Sequence, residues 1–287
     1  MSTSNQVIAN SLARENPNGR SPSVAAVGTP AGRLILNADD WGRDWDTTER
    51  IFDCVRSMTL SSVSAMVFME DSERSAELAR KSGVDAGLHL NLTTPFTAPG
   101  ITAELLERQR RVAVYLTRHR LARVIFHPGL DRSFDYVVKA QIDEFGRLYG
   151  APPQRIDGHH HMHLCANVLW AGLLPDGIVV RRNFSFQAGQ KSPSNRLYRT
   201  VIDHALARRH RVADYFFSLP PLQPEQRLQD IFSRAQRFIV EVETHPVNAE
   251  EYRFLTQQEI FRFTGDVAIA PRYELPLAAK ARPLRVN

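Results

Sequence analysis

Short apolar runs alternate along the chain with longer segments in which apolar and charged residues recur at helical spacing. The apolar runs predict strands at residues 34–38, 61–69, 84–92, 156–157, 177–182 and 237–244. The amphipathic segments predict helices at residues 47–57, 71–82, 108–126, 134–149 and 196–208. The recurrence of strand, helix and strand indicates parallel βαβ units, and therefore an α/β fold built as a barrel or an open sheet.

Polar residues fall at or just beyond the carboxyl ends of several predicted strands. They are Asp39, Asp40, His89, Asp157, His159, Arg181 and His245. In parallel barrels and sheets, the carboxyl ends of the strands lie at one edge, and active sites are built there. Randomly placed polar residues would not fall repeatedly at the carboxyl ends of strands. The pattern therefore predicts that these side chains share one site.

Residues 157–163, Asp-Gly-His-His-His-Met-His, hold four of the ten histidines. Imidazole is a common ligand of transition metals, so this cluster predicts a metal site. A strand would place His159, His161 and His163 on one face, whereas a helix would place His159 and His163 one turn apart. The alternative interpretation is that most of these histidines only form hydrogen bonds.

The chain has 287 residues, of which 43% are hydrophobic and 23% charged, as in an ordinary globular protein. No apolar run approaches the roughly 20 residues of a membrane-spanning helix. We predict a flexible leader at residues 1–32 and a single domain at residues 33–287. A transit peptide is the less favoured interpretation of the leader. Cys54 and Cys165 have the spacing of neither a zinc site nor a disulfide framework, which favours the reducing cytoplasm.

The formal net charge of +5 comes mostly from arginine, and such a balance can indicate a partner that carries phosphates. The arginines concentrate at residues 108–123 and 208–211. In the first segment, Leu105, Val112, Leu116 and Val124 recur at roughly helical spacing. The arginines there are therefore expected to form the solvated face of a surface helix, and no nucleic-acid partner is expected.

Two imidazoles and one carboxylate are a common set of protein ligands for a hydrolytic metal ion with open water positions. In the adjacent pair Asp39 and Asp40, one carboxylate could bind the metal while the other acts as a base; helix capping is the alternative for the pair. Asp39 and His245 are the candidates for the base and the acid. Arg181 could orient Asp39 or hold a substrate oxygen, and a buried structural ion pair is an equal alternative.

Four stretches resemble, in the same order, the motifs of the YdjC/ChbG-like carbohydrate deacetylase family. They are Leu34-Ile-Leu-Asn-Ala-Asp-Asp-Trp-Gly42, Gly87-Leu-His-Leu-Asn-Leu-Thr93, Asp157-Gly-His-His-His-Met-His163 and Thr244-His-Pro246. The resemblance covers residues 33–273. The chain departs from the family at Trp41, where Phe is usual, and at the charged residues 43–46, where small and apolar residues are usual.

The resemblance implies an irregular (β/α) barrel related to polysaccharide deacetylases, which binds one divalent metal ion and removes acetyl groups from N-acetylated sugars. Carried over by motif, the metal ligands are Asp40, His89 and His159. The same correspondence makes Asp39 the base and His245 the acid, and Arg181 matches an arginine that the family places after the third motif. The resemblance points to Mg²⁺ or Zn²⁺, and the ligand types also suit Mn²⁺ or Co²⁺.

The sequence therefore predicts a cytoplasmic metal-dependent hydrolase that deacetylates an N-acetylated sugar or a glycosylated metabolite. One alternative is a metal-dependent phosphoesterase, which would more often carry extra carboxylates for two metal ions. Another is a basic nucleic-acid-binding protein with a structural metal site, which predicts salt-sensitive binding to any polynucleotide. A homodimer is compatible with the sequence, which does not determine the oligomeric state.

Overall fold

The computed structural model describes residues 32–118, 120–186 and 192–275. Its strands are β1 (Arg33–Trp41), β2 (Ser62–Ala65), β3 (Asp85–Leu90), β4 (Arg155–Gly158), β5 (Val179–Val180), β6 (Tyr215–Ser218) and β7 (Ile239–Thr244). They form one parallel sheet in the order β5-β4-β3-β2-β1-β7-β6. The predicted leader, residues 1–32, lies outside the described residues apart from Gly32.

The sheet curls until its two edge strands approach each other. Val179 of β5 forms a single parallel bridge with Arg211, which precedes β6. The Val180 N–H donates to the Arg211 carbonyl at 2.9 Å, and the Arg211 N–H donates to the Ile178 carbonyl at 3.0 Å. This arrangement confirms the predicted irregular (β/α) barrel, which takes the form of a curled half-barrel.

Helices connect the strands, as the βαβ pattern predicts. Within the described ranges they are α1 (Trp45–Arg56), α2 (Ser72–Ser82), α3 (Ala103–Arg118), α4 (Asp131–Tyr149), α5 (Ala166–Trp170), α6 (Pro193–Arg209), α7 (Glu225–Arg234), α8 (Ala249–Thr256) and α9 (Phe261–Thr264). None of the helices that the structure describes is long and apolar enough to cross a membrane. Cys54 and Cys165 are both buried and free.

The predicted helix at residues 108–126 was wrong at both ends, because α3 starts at Ala103 and stops at Arg118. A 3₁₀ segment, Arg120–Arg123, follows it. The Tyr115 hydroxyl donates to the Ile125 carbonyl at 2.7 Å. A continuous helix, which rises about 1.5 Å per residue, would not allow that contact. The chain therefore turns back on itself after α3.

Two predicted strands are more than twice as long as the observed ones, and one strand is missed. The strands predicted at residues 61–69 and 177–182 shorten to β2 and β5. The sequence predicts only one helix in residues 187–226, whereas β6 lies there and α7 begins there. β6 is a run of only four residues, too short for its periodicity to be read.

Alternate residues of the buried strands lie on opposite faces of the sheet. Val240 and Val242 of β7 belong to the main apolar core, together with residues of the helices. Glu241 and Glu243 alternate with them along the strand and are buried outside that core. In β1, Ile35 belongs to a small apolar cluster, and Asp39 follows it on the same face. The interior of the half-barrel is therefore apolar at one end and charged at the carboxyl ends of the strands.

Candidate metal centre

The two adjacent aspartates at the end of β1 both reach one site, near His89 Nε2, because the strand is irregular there. The register with β2 shifts between Ala38 and Trp41, and Asp40 has a left-handed φ of 69°. Such a conformation is uncommon outside glycine and is usually held in place by its surroundings. The Asn37 side chain donates to Asp39 Oδ1 at 2.8 Å, so Asp39 faces the barrel interior.

A tight turn follows Asp40. The Arg43 N–H donates to the Asp40 carbonyl at 3.1 Å, and Gly42 between them has a φ of 84°. Glycine suits this position twice over, since a Cβ would also lie 2.6 Å from the Ser75 hydroxyl oxygen. The turn brings Arg43 back over Asp40, with its Nη1 3.2 Å from Asp40 Oδ2.

The three predicted metal ligands come together at the carboxyl end of the sheet. His159 Nδ1 lies 2.9 Å from Asp40 Oδ1, and His89 Nε2 lies 3.4 Å from the same oxygen. One donor atom from each of the three residues lies within 4.8 Å of the other two. All three side chains are buried. They arrive from the carboxyl ends of β1, β3 and β4, which the parallel sheet places at one edge, with β2 between β1 and β3.

The chemistry of this group fits a metal ion. Asp40 Oδ1 is buried, and among the described residues no donor is aligned to form a hydrogen bond with it. His89 Nδ1 lies 2.7 Å from Asp157 Oδ1, an interaction that fixes the ring and leaves Nε2 directed at Asp40. Two imidazole nitrogens and one carboxylate oxygen near a common point are a donor set that could hold a divalent ion.

The electrostatics also favour positive charge at this point. Burial opposes protonation of His89, but the charge of Asp39 and the hydrogen bond to Asp157 outweigh burial and raise the pKa of His89 to about 10. Burial likewise opposes ionisation of Asp40, but the imidazoles of His159 and His89 hold its pKa well below the usual range. A divalent cation would satisfy the same negative potential.

Arg181, just after β5, is surrounded by four carboxylates. Its Nη1 and Nη2 donate to the two oxygens of Asp39 at 2.6 and 2.8 Å, and its Nε donates to Glu241 at 2.7 Å. Nη2 also lies 3.1 Å from Asp157, and Nη1 lies 3.4 Å from Glu243. Burial penalises the charge, but the carboxylates of Asp157, Asp39 and Glu241 raise the pKa of Arg181 well above its ordinary value.

The guanidinium of Arg181 keeps two buried carboxylates ionised. Burial alone would raise the pKa of Asp39 and of Asp157, but the charge of Arg181 outweighs it, and both values lie below the usual range. Asp39, His89 and Asp157 also lie close enough together to hold a cation. Because Arg181 already supplies a positive charge to both aspartates, this second group is an internal ion pair network.

His245, the first residue after β7, also lies near Asp39. Its Nε2 is 3.9 Å from Asp39 Oδ2, and 35% of its side chain is exposed. The backbone holds it in place, since Glu251 accepts from the His245 N–H at 2.9 Å and from the Thr244 hydroxyl at 2.7 Å. All six predicted site residues therefore belong to one cluster, with His245 at its open side.

The histidine cluster follows neither of the two geometries that the sequence suggests. His159–Leu164 is a 3₁₀ segment in which His160 and His161 have left-handed φ values of 54° and 57°. Successive side chains consequently diverge. His160 Nδ1 lies 3.0 Å from the Thr93 hydroxyl oxygen, and His161 Nε2 lies 3.7 Å from Glu243.

His163 is buried beside the site and contacts the backbone. Its Nε2–H donates to the Arg181 carbonyl at 2.9 Å. Burial lowers its pKa to about 4, so the ring is neutral at neutral pH. The ring packs so closely on Gly158 that a Cβ there would lie 2.8 Å from His163 Nδ1. The geometry therefore separates His163 from the three grouped ligands, although a regular helix would have placed it one turn from His159.

The sequence reasoning missed the residues that complete the network around Arg181. Glu241 and Glu243 lie in the apolar strand β7, and Arg155 of β4 donates to the Ser64 hydroxyl at 2.9 Å and to Asp157 at 3.0 Å. Two glutamates at alternate positions of an otherwise apolar strand indicate a buried ion pair, because a buried strand tolerates charges only when they are paired. Ser64 gave no such signal.

The chain is similar in sequence to known proteins. The chain is 28% identical over 160 residues to a carbohydrate deacetylase of Danio rerio, covering 53% of this chain and 50% of that protein. It is 31% identical over 144 residues to a chitooligosaccharide deacetylase of Yersinia pestis (strain Pestoides F), covering 47% and 52% of the two chains. The chain thus spans about half the length of the curated relatives it matches.

A crystal structure of a protein from Enterococcus faecalis V583, assigned to cellobiose-phosphate cleavage, shares the fold. The TM-score is 0.57 at 18% identity, and the match covers 84% of this chain and 98% of that one. Residues 33–266, which contain β1 to β7 and all six predicted site residues, match the model of the YdjC-like protein family. The chain belongs to the YdjC-like protein family.

Proposed function

We propose that this protein is a metal-dependent hydrolase that removes the acetyl group from an N-acetylated sugar. The observation that carries the proposal is the convergence of Asp40, His89 and His159 on one point, beside a carboxylate, Asp39, that Arg181 keeps ionised. The names of the relatives, a carbohydrate deacetylase and a chitooligosaccharide deacetylase, support the choice of substrate.

Asp40, His89 and His159 would hold one divalent ion, with Zn²⁺, Mn²⁺ or Co²⁺ suited to the imidazoles and Mg²⁺ to the carboxylate. When bound, such an ion polarises a carbonyl group and makes water more acidic. Asp157 orients His89, and Arg43 occupies the second oxygen of Asp40, so that Asp40 offers a single oxygen to the ion.

Asp39 acts as the general base. Both of its oxygens accept hydrogen bonds from Arg181, which fixes the carboxylate in one orientation and keeps it ionised at neutral pH. It accepts a proton from the water whose oxygen attacks the acetyl carbon. Arg181 acts through Asp39 and is therefore a positioning residue.

His245 acts as the general acid. Its Nε2 lies 3.9 Å from Asp39 Oδ2, and its partly exposed ring borders the open side of the site, where a substrate would enter. As the carbon–nitrogen bond breaks, His245 donates a proton to the departing amine nitrogen, which leaves acetate and the free amino sugar. The hydrogen bonds of Glu251 and the preceding strand hold its backbone for this role.

A neighbouring cavity provides room for the sugar. It has a volume of about 550 Å³ and is open to solvent, and the Phe184 ring forms part of its wall. That ring lies edge-on to His161 at 4.6 Å between centroids, which connects the cavity with the site. Two half-buried guanidinium groups, Arg199 and Arg227, face the same cavity and would donate to hydroxyl oxygens.

The test is the release of acetate from N-acetylated monosaccharides and oligosaccharides by the purified full-length protein. We expect chelation to abolish the release, and Zn²⁺, Co²⁺, Mn²⁺ or Mg²⁺ to restore it. Full activity in a preparation shown by elemental analysis to be metal-free would refute the metal-dependent mechanism. Release of phosphate from sugar phosphates, without any acetate release, would favour the phosphoesterase alternative.

Asp39→Asn separates the base from the ligands. The variant should keep its metal but lose roughly 10²–10⁴ in turnover, the usual contribution of a positioned acid–base group. Metal content by elemental analysis and acetate release are measured on the same sample. If Asp39→Asn loses the metal while Asp40→Asn keeps it, the two aspartates have exchanged roles.

We propose further that residues 33–287 form one deacetylase domain and that the protein works in the cytoplasm. The free, buried state of both cysteines supports a reducing compartment. A homodimer stays a prediction, which sedimentation of the full chain would test.

A further inference from the structure

A run of large apolar side chains is exposed between α3 and α4. The exposed fractions are 63% for Leu121, 41% for Val124, 53% for Ile125 and 37% for Phe126. Single exposed apolar residues are common on protein surfaces, but four within six positions form a patch, and such patches mark contact surfaces. We call these four residues the apolar tip.

The backbone holds the apolar tip in a defined shape. The Val124 and Ile125 N–H groups both donate to the Leu121 carbonyl, at 3.0 and 3.1 Å, and the Tyr115 hydroxyl donates to the Ile125 carbonyl at 2.7 Å. The Asn167 side chain accepts from the His127 N–H at 3.0 Å. The tip is therefore a folded turn whose apolar side chains point outward, since its polar backbone groups are bonded inward.

Arginines flank the apolar tip. Arg111, Val114 and Arg118 recur at intervals of three and four on the outer face of α3, and Val114 is 51% exposed. Arg123 is exposed within the tip itself. In the portion of the chain that the structure describes, no ion pair involves these three arginines.

Other arginines of α3 are neutralised by neighbouring acids. Arg108 pairs with Glu104 at 2.8 Å, and Arg110 pairs with Glu107 at 2.9 Å. Pairing therefore accounts for the first half of the helix, whereas the half next to the apolar tip keeps an uncompensated positive charge. The unpaired arginines and the exposed apolar residues therefore lie at the same end of α3.

We propose that the apolar tip and the arginines Arg111, Arg118 and Arg123 dock this protein on an anionic lipid bilayer. The four apolar side chains enter the headgroup region, and the guanidinium groups contact the anionic headgroups. A second copy of the chain is a poorer occupant, because a twofold interface would bring the same basic surface against itself. The proposal does not depend on the deacetylase function.

The test is flotation of the full-length protein with vesicles. We expect binding to phosphatidylcholine vesicles that contain about 30% phosphatidylglycerol and little binding to phosphatidylcholine alone. Because the attraction is partly electrostatic, binding should weaken when salt rises from about 0.05 to 0.5 M. Absence of binding to the anionic vesicles at low salt would overturn the proposal.

Two pairs of substitutions test the two components. Val124→Ser with Ile125→Ser should lower the vesicle partition coefficient by at least roughly tenfold, since two apolar side chains no longer insert. Arg111→Gln with Arg118→Gln should lower it by roughly 30-fold and reduce the salt dependence. All four positions are on the surface, so the thermal unfolding midpoint should stay close to that of the unmodified protein.

Matched controls change the same residue types elsewhere on the surface. Leu197→Ser with Val201→Ser alters two apolar residues of α6 that are 66% and 58% exposed. Arg237→Gln with Arg272→Gln removes two exposed arginines far along the chain. Both controls should bind vesicles like the unmodified protein. Equal losses in the controls and in the tip variants would show that net charge or general hydrophobicity, and not this surface, drives binding.

Other occupants give different results. Salt-sensitive binding to duplex DNA without vesicle binding would assign the surface to nucleic acid and overturn the proposal. Concentration-dependent dimerisation that the Val124→Ser, Ile125→Ser variant abolishes, again without vesicle binding, would assign it to a second copy. Asp39→Asn should be catalytically impaired but should bind vesicles normally. Vesicle binding and acetate release therefore test the docking surface and the proposed activity separately.

Discussion

Arginine–carboxylate pairs occur in two contrasting regions of this protein. In the half-barrel interior, Arg181 is almost completely buried and contacts four carboxylates, including Asp39 at 2.6 Å. On the outer face of α3, Arg110 and Glu107 are exposed and lie 2.9 Å apart. The chemical groups are the same, and the distances are similar, but the surroundings differ.

The difference shows that burial, and not the contact itself, decides how much a pair matters. Removing a charge from water costs several kcal/mol, so the charges around Arg181 are tolerated only as a complete set. Exposed charges keep their hydration, are screened by salt and contribute little as pairs. The interior network therefore holds the site in place, whereas the exposed pair of α3 contributes little to stability.

The largest expected effect comes from removing the central charge of the interior network. Arg181→Met would leave Asp39, Glu241 and Glu243 buried without their main counter-charge. The free energy of unfolding should fall by about 3–5 kcal/mol, measured by urea denaturation at neutral pH. If Arg181→Met loses no more unfolding free energy than a substitution of an exposed arginine does, water or a conformational change compensates the buried carboxylates.

The next largest effect distinguishes the histidines within the interior region. His159→Ala should lower the affinity for Zn²⁺ by more than about 100-fold. His160→Ala should lower it by at most about 10–100-fold, as for a residue that only supports a ligand. His163→Ala should keep most of the affinity, because its Nε2 contacts the Arg181 carbonyl. Calorimetric titration measures all three. Retained affinity in His159→Ala with loss in His163→Ala would reverse the assignment.

A smaller effect concerns the pH dependence of stability. The pKa of His163 is about 4 in the folded protein and 6.5 as an ordinary value, because burial disfavours the charged ring. Between these values the unfolded chain binds a proton that the folded chain does not, so the free energy of unfolding falls as the pH falls below 6.5.

His163→Gln removes this contribution. From pH 7 to pH 5 the variant should lose about 2 kcal/mol less than the unmodified protein, as measured by urea denaturation at both pH values. The comparison is made within each protein, so any constant cost of the substitution cancels. An equal loss in both proteins would mean that His163 is already protonated, or is accessible to water, in the folded state.

The smallest effect is expected on the outer face of α3. Arg110→Gln breaks the exposed pair with Glu107 but leaves no buried charge, so the urea midpoint should not change measurably. A loss comparable to that of Arg181→Met would contradict the distinction between the two regions and would indicate that α3 carries a buried contact in solution.

Much of this arrangement could be read from the sequence. The alternation of strands and helices predicts the parallel sheet, and it predicts that polar residues at strand ends share one edge. Asp40, His89 and His159 accordingly lie together, although their roles stay predictions. These features are local, since each depends on which residues end a strand, and the sheet then brings the ends side by side.

The remaining features were decided only by the tertiary structure. Asp39 and Arg181 are 142 positions apart, and no local pattern shows that a guanidinium will meet both carboxylate oxygens. The left-handed backbone at His160 and His161 likewise replaces the two regular geometries that the sequence suggests. Local patterns fix periodicity and strand ends, but the partners of a buried charge are fixed by desolvation, which depends on every element packed around it.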